Sequence, residues 1–147
     1  MKNEKLELLQ EELVGLQFAA NHLAYSMERC QNLVGQQEMT LEELERLESL
    51  TSRYARLSDL LIQRIFRLID EIELSGAGTI LDRIYRAEKR GWCESSEMIK
   101  IRELRNLIAH EYASDKMSEI YTVVAAMSPV LLAVVPKVIA YSNNLIK

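Results

Sequence analysis

Leu47, Tyr54, Leu61 and Leu68 recur every seven residues, and Leu44, Leu50, Leu57 and Ile65 fill the seam between them. An apolar seam kept in register over that length needs one long helix packed lengthwise on another. A matching helix is written upstream. Leu6, Leu9, Leu13, Leu16, Ala20, Leu23, Met27 and Cys30 fall at steps of three and four, which is one face of a helix. The first helix is expected over Asn3 to Val34, ended by Gly35. The second opens at Thr40, where Thr40 and Glu43 form a capping box, and lasts to about Leu74. At about 1.5 Å per residue these are two antiparallel helices of ~50 Å. Gly15 lies inside the first at some cost, which suggests a close approach by another helix.

Shorter helices follow. Ser75 to Gly78 reads as a loop, and Thr79 caps a third helix over Ile80 to Lys89 that Gly91 stops. Ser95 or Ser96 caps a fourth, from Glu97 to about Tyr112, with Ile99, Leu104, Leu107 and Ile108 on its apolar side. A last helix begins near Met117. Ser128-Pro129 breaks or restarts it and Pro136 kinks the remainder. Five Gly and two Pro in 147 residues leave little material for turns, and 48% hydrophobic residues suffice for a core. The expected fold is all-α: an up-down helical bundle with two long antiparallel helices plus shorter C-terminal ones, as one domain over residues 1–147.

Several function classes recede. Cys30 and Cys93 form no Cys-x-x-Cys, and only His22 and His110 are available to join them, so the thiols read as free and no metal site is expected. Met1 to Glu12 alternates charge with Leu, unlike a signal peptide, and the expected compartment is the cytoplasm. Tyr121 to Tyr141 is nearly as apolar as a membrane span, but Ser128, Pro129, Pro136 and Lys137 interrupt it and no basic flank accompanies it. It reads as a helix buried in the bundle or in a dimer interface, with no membrane partner. Glu42, Glu43, Glu45 and Glu48 read as a solvated helix face rather than a cation site.

The net charge of −4 is unevenly spread: residues 1–74 carry −6 and residues 75–147 carry +2. The basic part concentrates at Arg83, Arg86, Lys89, Arg90, Lys100, Arg102 and Arg105. On one face these would make an anion-binding surface; scattered, they are ordinary solvated arginines and lysines.

No phosphate loop, dinucleotide turn or paired metal-ligand histidines occur. What stands out is Arg102-Glu103-Leu104-Arg105-Asn106-Leu107-Ile108-Ala109-His110-Glu111-Tyr112. Histidine is the side chain that ordinarily titrates near neutral pH, and arginine offers a permanent planar fork for phosphate. Arg105 and His110 are five apart, or about 140° around an ideal helix, so they do not share a face. Asn106 and His110 do, four apart, as do Arg105 and Tyr112, seven apart. Arg105 and His110 would converge through a distorted helix or through a cleft shared with a second subunit, for which a twofold dimer is the simplest arrangement.

The segment Arg105 to Tyr112 resembles the HEPN signature, and more narrowly the HepT form, Arg-x4-His-x-Tyr with Asn directly after the Arg. The motif spans eight residues, and the order of helices around it is similar to that family along nearly the whole chain. The resemblance implies a metal-independent endoribonuclease without cofactor, acting as a homodimer on RNA such as tRNA or mRNA. It also implies the toxin component of a toxin–antitoxin pair. Its partner would be an MNT-type nucleotidyltransferase antitoxin that neutralises it by AMPylation. Carried over, Arg105 and His110 are catalytic, Asn106 and Arg102 supporting, and Tyr112 the modified hydroxyl. The acidic net charge and the very apolar final helices depart from the pattern. Two other readings stand beside it: a non-catalytic helical subunit that binds a nucleotidyltransferase and its substrate, and a plain helical interaction protein.

Overall fold

The computed structural model describes residues 2–76, 78–110 and 114–147, with the side chains of Ser114 and Asp115 set aside. It is 84% helical, without strands among the described residues. In chain order the elements are α1 (Lys2–Cys30), α2 (Leu41–Asp59), a π-helical segment (Leu60–Ile65), α3 (Phe66–Ile72), α4 (Ile80–Lys89), α5 (Ser95–His110) and α6 (Ser114–Ile146). α2, the π segment and α3 run on as one rod, because the backbone stays helical through both junctions at Leu60 and Phe66.

The heptad seam packs as its spacing predicts. Leu47, Leu50, Tyr54, Leu57, Leu61, Ile65 and Leu68 are buried against Leu9, Leu16, Leu23 and Cys30 of α1 within one continuous core cluster. Chain ends and caps are equally local. Thr40 and Glu43 exchange hydrogen bonds of 3.0 and 3.1 Å, and Thr79 and Asp82 repeat the device at 2.8 and 3.2 Å. The bonds at Thr79 hold the Asp82 carboxyl below its usual range. Gly91, at φ +85°, closes α4 with the paired bonds Trp92 N–H to Ala87 O and Gly91 N–H to Glu88 O.

Two expectations are corrected, and an alternative left open by the basic run is narrowed. α6 is one continuous helix through Ser128, Pro129 and Pro136. Both prolines are exposed and seven apart, so they lie on the outer face, where water can reach the carbonyls they leave unbonded. Buried Val124, Leu131, Val135 and Val138 hold the helix on both sides of them. Gly15 admits no neighbour: a Cβ there would meet nothing within 4 Å. The basic run does not make one free surface. Arg86 and Arg90 bind buried Asp70 at 3.0 and 2.7 Å, and Arg83 reaches the Ile62 carbonyl of the π segment at 3.4 Å.

α6 is also long and apolar enough to cross a membrane by length and composition, and 33% of its most apolar window is buried in this fold. The burial expected of Tyr121 to Tyr141 is therefore partial. Trp92 is the packing anchor of its loop, 2% exposed against Phe66 and edge-on to Tyr141.

Candidate functional site

The motif helix is set in place by apolar burial and one hydrogen bond. Met98, Ile101 and Leu104 of α5 are buried at steps of three. The fully buried Tyr54 of α2 donates its hydroxyl to the Ile101 carbonyl at 3.2 Å, one turn before Arg105. Burial pushes that phenol well above its ordinary pKa, so it stays a donor. With Leu104 inward, Arg105 emerges at the flank of the helix beside α2.

There Arg105 meets Asp59. Its Nε and Nη2 donate to the two carboxylate oxygens at 2.9 Å each, a bidentate fork. The hydrogen bond that Arg105 donates to Asp59 lifts its pKa above the ordinary value against the opposite pull of burial. Asp59 is the last residue before the π segment, in which the Phe66 N–H bonds Leu61 O, five residues back. Such π insertions re-aim the side chains beside them and are frequent at functional sites.

The pair stands on the wall of a cleft of about 990 Å³ between α1, α2 and α5. From α5 the cleft takes Arg105, Asn106 and Ala109. From the α2 rod it takes Arg56, Asp59, Leu60, Gln63 and Arg64, again one helix face. From α1 come Glu12, Gly15, Phe18, Ala19 and His22, at steps of three and four. Arg64 lies 3.8 Å from Glu12. Three arginines thus outnumber two carboxylates in a chain that is acidic overall.

The predicted site residues separate. Arg105 and Asn106 line the cleft; His110 and Arg102 do not. His110 is exposed at the last position of α5, as the 140° offset of an undistorted helix requires. Tyr112 lies outside the described residues. Sequence reading missed Asp59, Arg56, Gln63 and Arg64, which are spaced as an exposed helix face and gave no sign of an arginine opposite. For His22 the one signal was spacing, since Gly15, Phe18 and His22 recur at i, i+3 and i+7 on one helix face. Among the described residues no group of three or more His, Cys, Asp or Glu side chains is placed to hold a metal ion.

The two thiols belong elsewhere. Cys30 is buried and gives its S–H to the Arg46 carbonyl at 3.3 Å, and burial raises its pKa. Cys93 is pushed up to about 11 by burial, then by Glu88 and Glu97, so it stays a thiol at neutral pH. Comparison of the chain with protein-family models, curated proteins and solved structures found no match in any of the three.

Proposed function

We propose that this chain is a HepT-like HEPN ribonuclease, the toxin of a toxin–antitoxin pair, cutting RNA through Arg105 and His110. The observation that carries the reading is the presentation of Arg105: a guanidinium held planar at the rim of an open, arginine-rich cleft, with His110 exposed at the end of the same helix. In the reaction the RNA 2′-oxygen bonds to the adjacent phosphorus and the bond from phosphorus to the 5′-oxygen breaks. His110 takes the 2′-hydroxyl proton and a proton is returned to the 5′-oxygen. Arg105 holds the charge that builds on the phosphorane oxygens, and Asn106 and Arg102 support it. Because Arg105 and His110 point about 140° apart on one helix, a homodimer would bring His110 of a second copy to the Arg105 rim. A nucleotidyltransferase antitoxin would silence the protein by placing AMP on Tyr112, where its phosphodiester charge and bulk repel and occlude RNA.

The test is cleavage of a tRNA pool in EDTA by wild type, His110→Ala and Arg105→Ala. Cleavage by wild type that falls at least ~100-fold in both variants supports the reading. Mass spectrometry of Tyr112 after incubation with a nucleotidyltransferase and ATP then tests the silencing. One observation favours a second reading, a non-catalytic subunit that binds a nucleotidyltransferase and its substrate: the Arg105 fork is already filled by Asp59. Unmodified wild type that binds RNA but leaves it intact would move the assignment there.

A further inference from the structure

The cleft contains more than its Arg105 rim requires. Phe18 stands on the α1 wall 61% exposed, a large aromatic left in water on a face that also carries His22. The His22 imidazole has no hydrogen-bond partner among the described residues, and neither do the side chains of Arg56, Gln63 and Asn106 around the same cleft. Arg64 is 69% exposed, and among the described residues its one tie is to Glu12 at 3.8 Å. Arg56 and Arg64 are eight residues apart along the rod and both line the cleft, on the order of 10 Å apart along its axis. Two cationic heads spread along the groove can each meet a different phosphate of one strand, which an isolated phosphate cannot offer. Across from them, Gly15 contributes no side chain and a Cβ there would meet nothing, so the helix bears the cost of a glycine while the cleft keeps its width.

We propose that this α1–α2–α5 cleft is a binding groove for single-stranded RNA, with Arg56 and Arg64 on phosphates and a base stacked on Phe18. Gln63 and Asn106 offer amide donors and acceptors to base edges, and His22 a ring N–H to phosphate or base. The combination of flat aromatic, cationic track and unpaired amides is what recognises an unstacked strand, because every base has a face to stack and every linkage a charge. The choice of RNA as the strand rests on the ribonuclease reading above; the groove itself does not. It also places the strand on one face of a single chain, which gives α1 a part that the motif helix alone would not predict.

The experiment is fluorescence anisotropy with a labelled 2′-O-methyl hexanucleotide, which has no free 2′-hydroxyl and resists cleavage, so binding is read apart from turnover. Phe18→Ala should weaken binding about tenfold and leave its salt dependence unchanged, since stacking releases no counterions. Arg56→Gln and Arg64→Gln should each weaken binding and flatten the plot of log K against log salt by ~0.7. Lys89→Gln, a loss of charge on the exposed face of α4, which does not line the cleft, should bind as wild type does. The altered side chains are exposed, and melting curves confirm that each variant is folded. Binding that all three cleft variants retain overturns the groove while leaving any tRNA cleavage standing. Phe18→Ala that alters only the oligomeric state, or folded wild type that does not bind at all, overturns it too. Loss of tRNA cleavage together with retained, variant-sensitive binding sinks the ribonuclease reading and keeps the groove.

Discussion

Two aspartates of the same helical rod hold arginines from the helices packed against it, and the two clamps differ in what surrounds them. Asp70 is 2% exposed and carries both Arg86 and Arg90; Asp59 is 42% exposed and carries Arg105 alone. Around Asp70 the pairing extends. Arg90 also reaches Glu73 at 2.9 Å, Glu73 accepts from the Tyr141 hydroxyl, and the guanidinium lies 5.2 Å from the centre of the Trp92 ring. Burial alone would lower the pKa of Arg90, and Asp70 overrides it, by hydrogen bond and by charge. That cluster ties α3, α4 and α6 together. At Asp59 no such shell exists among the described residues, and water and ligand have access to the fork. The same pair of residue types is structural where it is desolvated and exchangeable where it is wet.

The largest expected effect follows from the buried side. Asp70→Ala leaves two guanidinium groups facing a site from which their carboxylate has gone, and breaking a buried pair in this way costs about 3 kcal/mol or more. For a chain of this size that lowers the unfolding midpoint by on the order of 10 °C, read by thermal circular dichroism. A shift of a degree or two would show the cluster to be as loosely held as the exposed clamp. Asp59→Asn makes the opposite case. Both partners are partly solvated, so stability should move by less than about 1 kcal/mol. The freed Arg105 fork should instead bind the uncleavable hexanucleotide several-fold more tightly, since a phosphate no longer competes with a carboxylate. Weaker binding would mean that Asp59 orients Arg105 for its ligand rather than occupying its place. Tyr141→Phe is intermediate: removing one hydrogen bond to Glu73 at the edge of the buried cluster should cost about 1 kcal/mol, again read by melting.

The difference between the clamps was not legible in the sequence, and the reason is physical. Periodicity reports which face of a helix is apolar. It therefore located α1, the heptad rod and α4, and the capping residues Thr40 and Thr79 marked where helices begin. The π segment has no apolar signature, since Leu60–Ile65 continues the seam while winding differently, so neither Asp59 beside Arg105 nor the carbonyl of Ile62 under Arg83 was foreseeable. Proline was over-weighted in α6, because tertiary packing on both sides of Pro129 and Pro136 outweighs the lost backbone bonds. The motif residues were legible as a string but not as a site. The roughly 140° offset of an ideal helix persists in an undistorted α5, with Arg105 in the cleft and His110 outside it.

The smallest expected effect concerns the wall opposite Asp59. A glycine inside a helix costs roughly 0.5–1 kcal/mol against alanine, and proteins commonly keep one where a neighbouring element comes too close for a Cβ. At Gly15 that reason is missing: the added methyl would enter open cleft. Gly15→Ala should therefore raise stability by up to about 1 kcal/mol, a gain of a few degrees in the melting midpoint. The same methyl enters the space assigned to RNA, so hexanucleotide affinity should fall modestly while the protein grows more stable. A bulkier Gly15→Leu should deepen the loss of binding, with a melting curve to show that the chain stays folded. That opposition separates a site from a scaffold. At Asp70 a substitution should harm stability; at Gly15 stability and binding should move in opposite directions, as they do where a residue is kept for what the cleft must admit.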